Sequence, residues 1–226
     1  MDNAVVLAHG LSGRSDLPVP LWTAVYGAVA ALLFSFAALI LFWHTAKFED
    51  DGGIPLPGGL QSLLNSKALV WLGKLIGLVL FVVLLSTAWL GSPIATKNPA
   101  PAWLYVWLWC GIVPMSLFFG PIVRAINPLR TIAGLITRGE GEPIPANWGL
   151  YPAALSIFAF VWLELVMIDP SDPRHVAVWM TVYSIIHIAL GARYGQKWFS
   201  QGEGFEVYAT LIASVSPLGK LPDGNW

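Results

Sequence analysis

The sequence predicts an all-α integral membrane protein: a helical bundle of five full spans, a short sixth membrane segment and an interfacial amphipathic helix. Three observations carry that expectation. The chain is 56% hydrophobic and only 11% charged, against roughly a quarter charged in soluble domains. Its mean hydropathy is +0.67. Its charged residues are separated by long uncharged runs, and a spanning helix needs about 20 apolar residues. In water such a chain leaves too much apolar surface exposed, so lipid is its natural solvent. A net charge of −1 argues against a nucleic-acid partner. The single cysteine, Cys110, has no internal partner for a disulfide. The first ten residues lack the basic region of a signal peptide.

The elements follow from the gaps between charges. Between Asp16 and Lys47 lie 30 residues without Asp, Glu, Lys or Arg. Pro18 and Pro20 open that run, as prolines do at helix starts, which predicts a first span over residues 21–46. Lys74 and Lys97 bracket 22 uncharged residues, for a second span over 68–90. Lys97 and Arg124 bracket 26, for a third over 102–120 with a kink at Pro114. Glu142 and Glu164 bracket 21, for a fourth over 149–168, and Arg174 and Arg193 bracket 18, for a fifth over 173–192. The last run, Val207 to Gly219, has 13 residues and contains Pro217. That is too short to cross, so 205–216 is expected as a partial, re-entrant or interfacial segment. The whole chain reads as a single transmembrane domain, complete or the N-terminal part of something longer.

The linkers add detail. Glu49, Asp50 and Asp51 form a solvated acidic loop, and Leu60, Leu63 and Leu64 mark a short surface helix before the second span. Asn127 is a good N-cap followed by Pro128 at the first helical position. Leu129, Ile132, Ala133 and Ile136 then line one face. With Arg124, Arg130 and Arg138 alongside, this segment is expected to lie in the membrane surface, with those arginines near lipid headgroups or a phosphate. The loops after spans one, three and five carry eight Lys and Arg, and the opposite side carries three. The positive-inside rule therefore places the N-terminus outside.

Small residues mark packing faces: Gly27, Ala31, Ser35 and Ala38 in span one, and the GxxxG pair Gly73 and Gly77 in span two. Both are read as bundle contacts. Trp103, Trp107, Trp109, Trp162 and Trp179 are expected in interfacial belts.

Ionisable groups at membrane depth gather around the turn between spans four and five, where Glu164, Asp169, Asp172, Arg174 and His175 crowd together. Asp172 before Pro173 is an N-cap before N1. The simple reading is a capped, salt-bridged corner. A carboxylate, a histidine and a second carboxylate also suit a divalent metal, with Glu164, Asp172 and His175 as ligands and His9 as an outer one. His44 and His187, at similar predicted depths in spans one and five, are the candidate pair for axial ligation of a haem. Glu164 with His187 is the alternative proton relay. HGLSGRSD at His9–Asp16 does not fit the G-x-S-x-G nucleophile pattern.

Five stretches carry a resemblance: HGLSGRSDLPVP (His9–Pro20), NPAPAWLYVWLW (Asn98–Trp109), RAINPLRT (Arg124–Thr131), FAFVWLELV (Phe158–Val166) and GEGFEVY (Gly202–Tyr208). In these the chain resembles a family of bacterial polytopic membrane proteins, mostly uncharacterised, some of which carry the label fenitrothion hydrolase. The resemblance implies a bacterial cytoplasmic membrane, a chain that continues past Gly219 in longer members, and phosphotriester cleavage, which wants a metal-bound hydroxide.

The leading expectation is a non-catalytic membrane subunit or accessory protein that packs against partner helices, in an energy-transducing or metal-handling complex. The alternatives are a metal-dependent hydrolase with an outer-face site, a proton- or ion-coupled transporter component, and a haem-binding subunit. A divalent metal is the first cofactor expectation and haem the second. The partners are lipid and other membrane subunits.

Overall fold

A computed structural model describes residues 21–42, 54–137 and 141–219, and every element among them is helical. Leu21–Phe42 (α1) is followed by a short Gly58–Leu64 (α2) and by Lys67–Leu90 (α3), which Ser66 caps by accepting from the amide of Leu69. Ala100–Ala102 (α4), a π-helical stretch Trp103–Cys110 and Gly111–Phe119 (α5) form one rod. Ile122–Ile126 (α6), Pro128–Ile136 (α7), Tyr151–Leu165 (α8), Pro173–Tyr194 (α9) and Gly204–Ala213 (α10) complete the order. Between α9 and α10 runs a 3-10 turn, Gly195–Ser200.

Three helical segments are long and apolar enough to cross a membrane: Lys67–Leu90, Ala100–Phe119 and Pro173–Ala213. The last joins α9, the turn and α10. Two further apolar stretches, Val25–Ala38 and Tyr151–Leu165, are shorter. At about 1.5 Å per residue α8 reaches roughly 22 Å, short of a ~30 Å hydrocarbon layer. The expectation of five full spans is thus met in three.

The core is aromatic. Phe160 on α8 is fully buried, with ring centroids of Trp109 at 4.9 Å, Phe205 at 5.2 Å, Trp179 at 5.5 Å and Tyr105 at 6.0 Å. Trp109 and Trp179, expected in interfacial belts, instead join this cluster; Trp107 and Trp162 do face outward. The GxxxG expectation is met at close range. A Cβ on Gly77 would sit 1.7 Å from the carbonyl oxygen of Ile126, so α6 ends directly on α3. The matching stripe on α1 meets nothing: the space beside Gly27 is open, and the described side chains of α1 are all exposed.

Asn127 caps α7 as expected, accepting from the amides of Leu129 (3.0 Å) and Arg130 (3.2 Å). One face of the helix packs against the bundle. It buries Leu129, Thr131 and Ala133, with Leu129 and Ala133 clustered with Tyr194 and Trp198, and leaves Ile136 exposed.

Candidate functional site

The site is built by a chain reversal. After α9 ends, the 3-10 turn folds back along it, and α10 starts at Gly204 beside the middle of α9 rather than at its end. Tyr183, ten residues into the 22-residue helix, donates from its hydroxyl to Glu203 Oε1 and so fixes that height. Two glycines permit the approach. A Cβ on Gly202 would meet the Trp198 ring at 2.5 Å, and one on Gly204 would meet Ser156 Oγ at 2.7 Å. Glu203 caps α10, accepting from the amides of Phe205 (3.1 Å) and Glu206 (2.8 Å).

From Trp198 to Glu203 the hydrogen bonds run one way. The Trp198 indole can only donate, and it donates to His187 Nδ1 at 3.1 Å. In the neutral ring that leaves the proton on Nε2, which faces Ser156 Oγ at 3.3 Å. Ser156 also accepts from the amide of Gly204 (3.1 Å) and donates to Tyr183 Oη (3.1 Å). Tyr183 donates to Glu203. His187, Ser156 and Tyr183 each both accept and donate, which is what a proton relay requires; Trp198, a donor only, closes the chain and sets the histidine tautomer.

On its other side Glu203 meets a second carboxylate. Asn127 Nδ2 donates to Glu203 Oε2 (3.2 Å) and to Glu206 Oε2 (2.9 Å). Arg130 grips Glu206 with two nitrogens, Nε at 2.9 Å and Nη2 on the other oxygen. Both glutamates are 2% exposed or less. Two buried carboxylates against one guanidinium would be costly alone. The N-termini of α7 and α10 converge on them, and their partial positive charges offset part of the remainder. Arg130 continues outward to the exposed Gln196 (3.0 Å) and Ser200 (3.2 Å). The polar cluster therefore links a surface rim to the bundle interior.

No family model matches the chain, and neither curated proteins nor solved structures show a match. Two of the sequence stretches, RAINPLRT (Arg124–Thr131) and GEGFEVY (Gly202–Tyr208), meet here.

Beside Glu203 lies a cavity of about 330 Å³. Its walls are apolar and aromatic, with Trp103 and Leu104 from the π-helical stretch and Trp179 from α9. Asn127, Tyr183, Ser184 and Glu203 are the polar residues of its lining.

The predicted site residues are distributed differently. At the corner between α8 and α9, Asp172 caps the amide of Arg174 at 2.7 Å. His175 Nδ1 is held at 3.0 Å by the carbonyl of Asp169, so it carries a proton there. Arg174 reaches the carbonyl of Trp89 at 2.8 Å, tying the corner to the end of α3. Glu164 is half-buried on α8. Among the described residues no three His, Cys, Asp or Glu side chains gather as metal ligands; His9 lies outside the described residues. His44, half of the haem pair, and Arg138 lie outside them too. His187 does not suit axial ligation, because both ring nitrogens are occupied by Trp198 and Ser156. The arginine expectation divides. Arg124 is exposed, whereas Arg130 turns inward to Glu206.

Glu203 and Glu206 were the residues sequence reasoning passed over. Their signal was present: a glutamate flanked by two glycines, with a second one turn later, just before a run too short to cross.

Proposed function

We propose that the protein is a proton-coupled membrane component, in which Glu203 exchanges a proton through Tyr183, Ser156 and His187. The carrying observation is the one-way hydrogen-bond chain ending on a carboxylate inside a bundle of apolar helices. Ionisable groups at such depth are expensive and serve transport or relay roles. A helix that begins at mid-height, with its N-terminus on the charged group, is the arrangement seen where broken helices build membrane binding sites. His187 keeps its expected relay role, with Glu203 rather than Glu164 as partner. In this reading α1 supplies a fourth crossing of a bacterial cytoplasmic membrane, with the N-terminus outside.

The test is proton flux in vesicles under an imposed pH gradient. The native chain should carry flux that Tyr183→Phe and Glu203→Gln each reduce at least about tenfold. Flux equal in all three proteins would remove the relay.

A second reading, a subunit that packs on partner helices, is favoured by α1. Its small-residue stripe has no partner within the described chain. Cross-linking from Ala31→Cys in native membranes would capture such a partner; recovery of an unlinked monomer at all reagent concentrations counts against it.

A further inference from the structure

We propose that the cavity beside Glu203 binds a small organic cation: an apolar, preferably aromatic body carrying a protonated amine. This rests on the reading of Glu203 as the ionised end of the hydrogen-bond chain, and it adds the ligand class. The volume of about 330 Å³ falls in the range of small-molecule sites. A purely apolar ligand would leave the polar residues of the lining without purpose, and an anion finds little there to bind. The amide hydrogens of Asn127 both go to carboxylates, the Tyr183 hydroxyl goes to Glu203, and the backbone amides of Phe205 and Glu206 are taken by the Glu203 side chain. Glu203, which lines the cavity, belongs to a cluster with two acids and one guanidinium, so the charge behind that wall is net negative. An ammonium head complements that charge, and the faces of Trp103 and Trp179 suit a cation as well as an apolar body.

The route of entry is on the same surface. Trp107 and Leu80 line the cavity while being 72% and 45% exposed, so its rim lies on the outward, apolar side of the helices. An amphiphilic amine dissolved in the bilayer meets that rim without crossing water. The wall beside it is the π-helical stretch Trp103–Cys110. Such geometry is rare and recurs at functional sites; here Trp103, Leu104, Trp107 and Leu108 all face the cavity.

The experiment titrates the full chain in lipid nanodiscs with three compounds of matched body: 4-phenylbutylamine, 4-phenylbutanol and 4-phenylbutanoate. Heats from empty nanodiscs are subtracted. The amine should bind about tenfold or more tightly than the alcohol, as a charge-assisted contact implies, and the carboxylate least. Glu203→Gln should erase the preference for amine over alcohol. Gly111→Leu is the second variant. It adds bulk to the cavity wall where a Cβ meets only the Val106 carbonyl, at an ordinary 3.8 Å, and should abolish binding of both. Equal affinity for amine and alcohol, or amine binding indifferent to Gly111→Leu, would overturn the proposal. Ser156→Ala separates the two readings, since Ser156 belongs to the hydrogen-bond chain and does not line the cavity. Lost flux with retained amine binding supports both. Amine binding in a native chain without proton flux removes the relay alone, and flux in a native chain without amine preference removes the cation site alone.

Discussion

The corner between α8 and α9 and the carboxylate cluster around Glu203 are both polar knots in an apolar chain, yet they are made differently. At the corner, most bonds are local: Asp172 to Arg174, and His175 to Asp169, within six residues. Around Glu203, the partners come from α7, α8, α9 and α10, with Asn127 and Arg130 bonding across 76 residues or more to Glu203 and Glu206. A local knot starts a helix. A non-local one holds four helices in a single arrangement, and its groups are buried where an unmet charge is costly.

That contrast sets the order of the predictions. Arg130→Ala should have the largest effect, about 3–5 kcal/mol, because it leaves the buried Glu206 carboxylate without its guanidinium. Arg174→Ala, on an exposed side chain, should cost under about 1 kcal/mol. Unfolding of detergent-solubilised protein by denaturant measures both, and similar losses would erase the distinction between the regions. Next, Gly77→Ala should cost about 1–3 kcal/mol through overpacking, since its Cβ falls on the Ile126 carbonyl. At Gly73 the nearest atom is 3.6 Å from the built Cβ, so Gly73→Ala should be nearly neutral by the same assay. Asp172→Ala should remove a cap worth about 1 kcal/mol and leave proton flux unchanged. Last is Tyr183→Phe, read by transport rather than by stability: it removes the bonds to Ser156 and Glu203, each about 1 kcal/mol, and should reduce flux at least about tenfold. A transport loss far beyond that of Asp172→Ala would sharpen the comparison most.

Some of the site was legible beforehand and some was not, for identifiable reasons. Asn127–Pro128 and Asp172–Pro173 announce helix starts in adjacent residues, and both caps are present. Gly73 and Gly77 signal a close approach, which α6 supplies. Arg130 sits one turn after Asn127 in a helix with a strong apolar face. Sequence alone places it at a membrane surface as readily as in a buried pair, because the deciding partner lies 76 residues away. Trp109 and Trp179 read as interfacial for the same reason: an aromatic residue near a span end suits a belt until Phe160 and Phe205 are seen beside it. His187 looked available as a ligand because nothing nearby in sequence reveals that Trp198 and Ser156 occupy its nitrogens.

The sequence by itself determined the solvent and the elements. Long uncharged runs require lipid or burial, prolines and caps set helix starts, and a 13-residue apolar tail is too short to cross. Only the tertiary structure decided that the chain turns back beside α9 ahead of this run and brings Glu203 and Glu206 to Asn127 and Arg130. The reason is physical. Hydrophobic runs report local transfer from water, whereas a buried charge is tolerable only through partners whose positions depend on how whole helices meet.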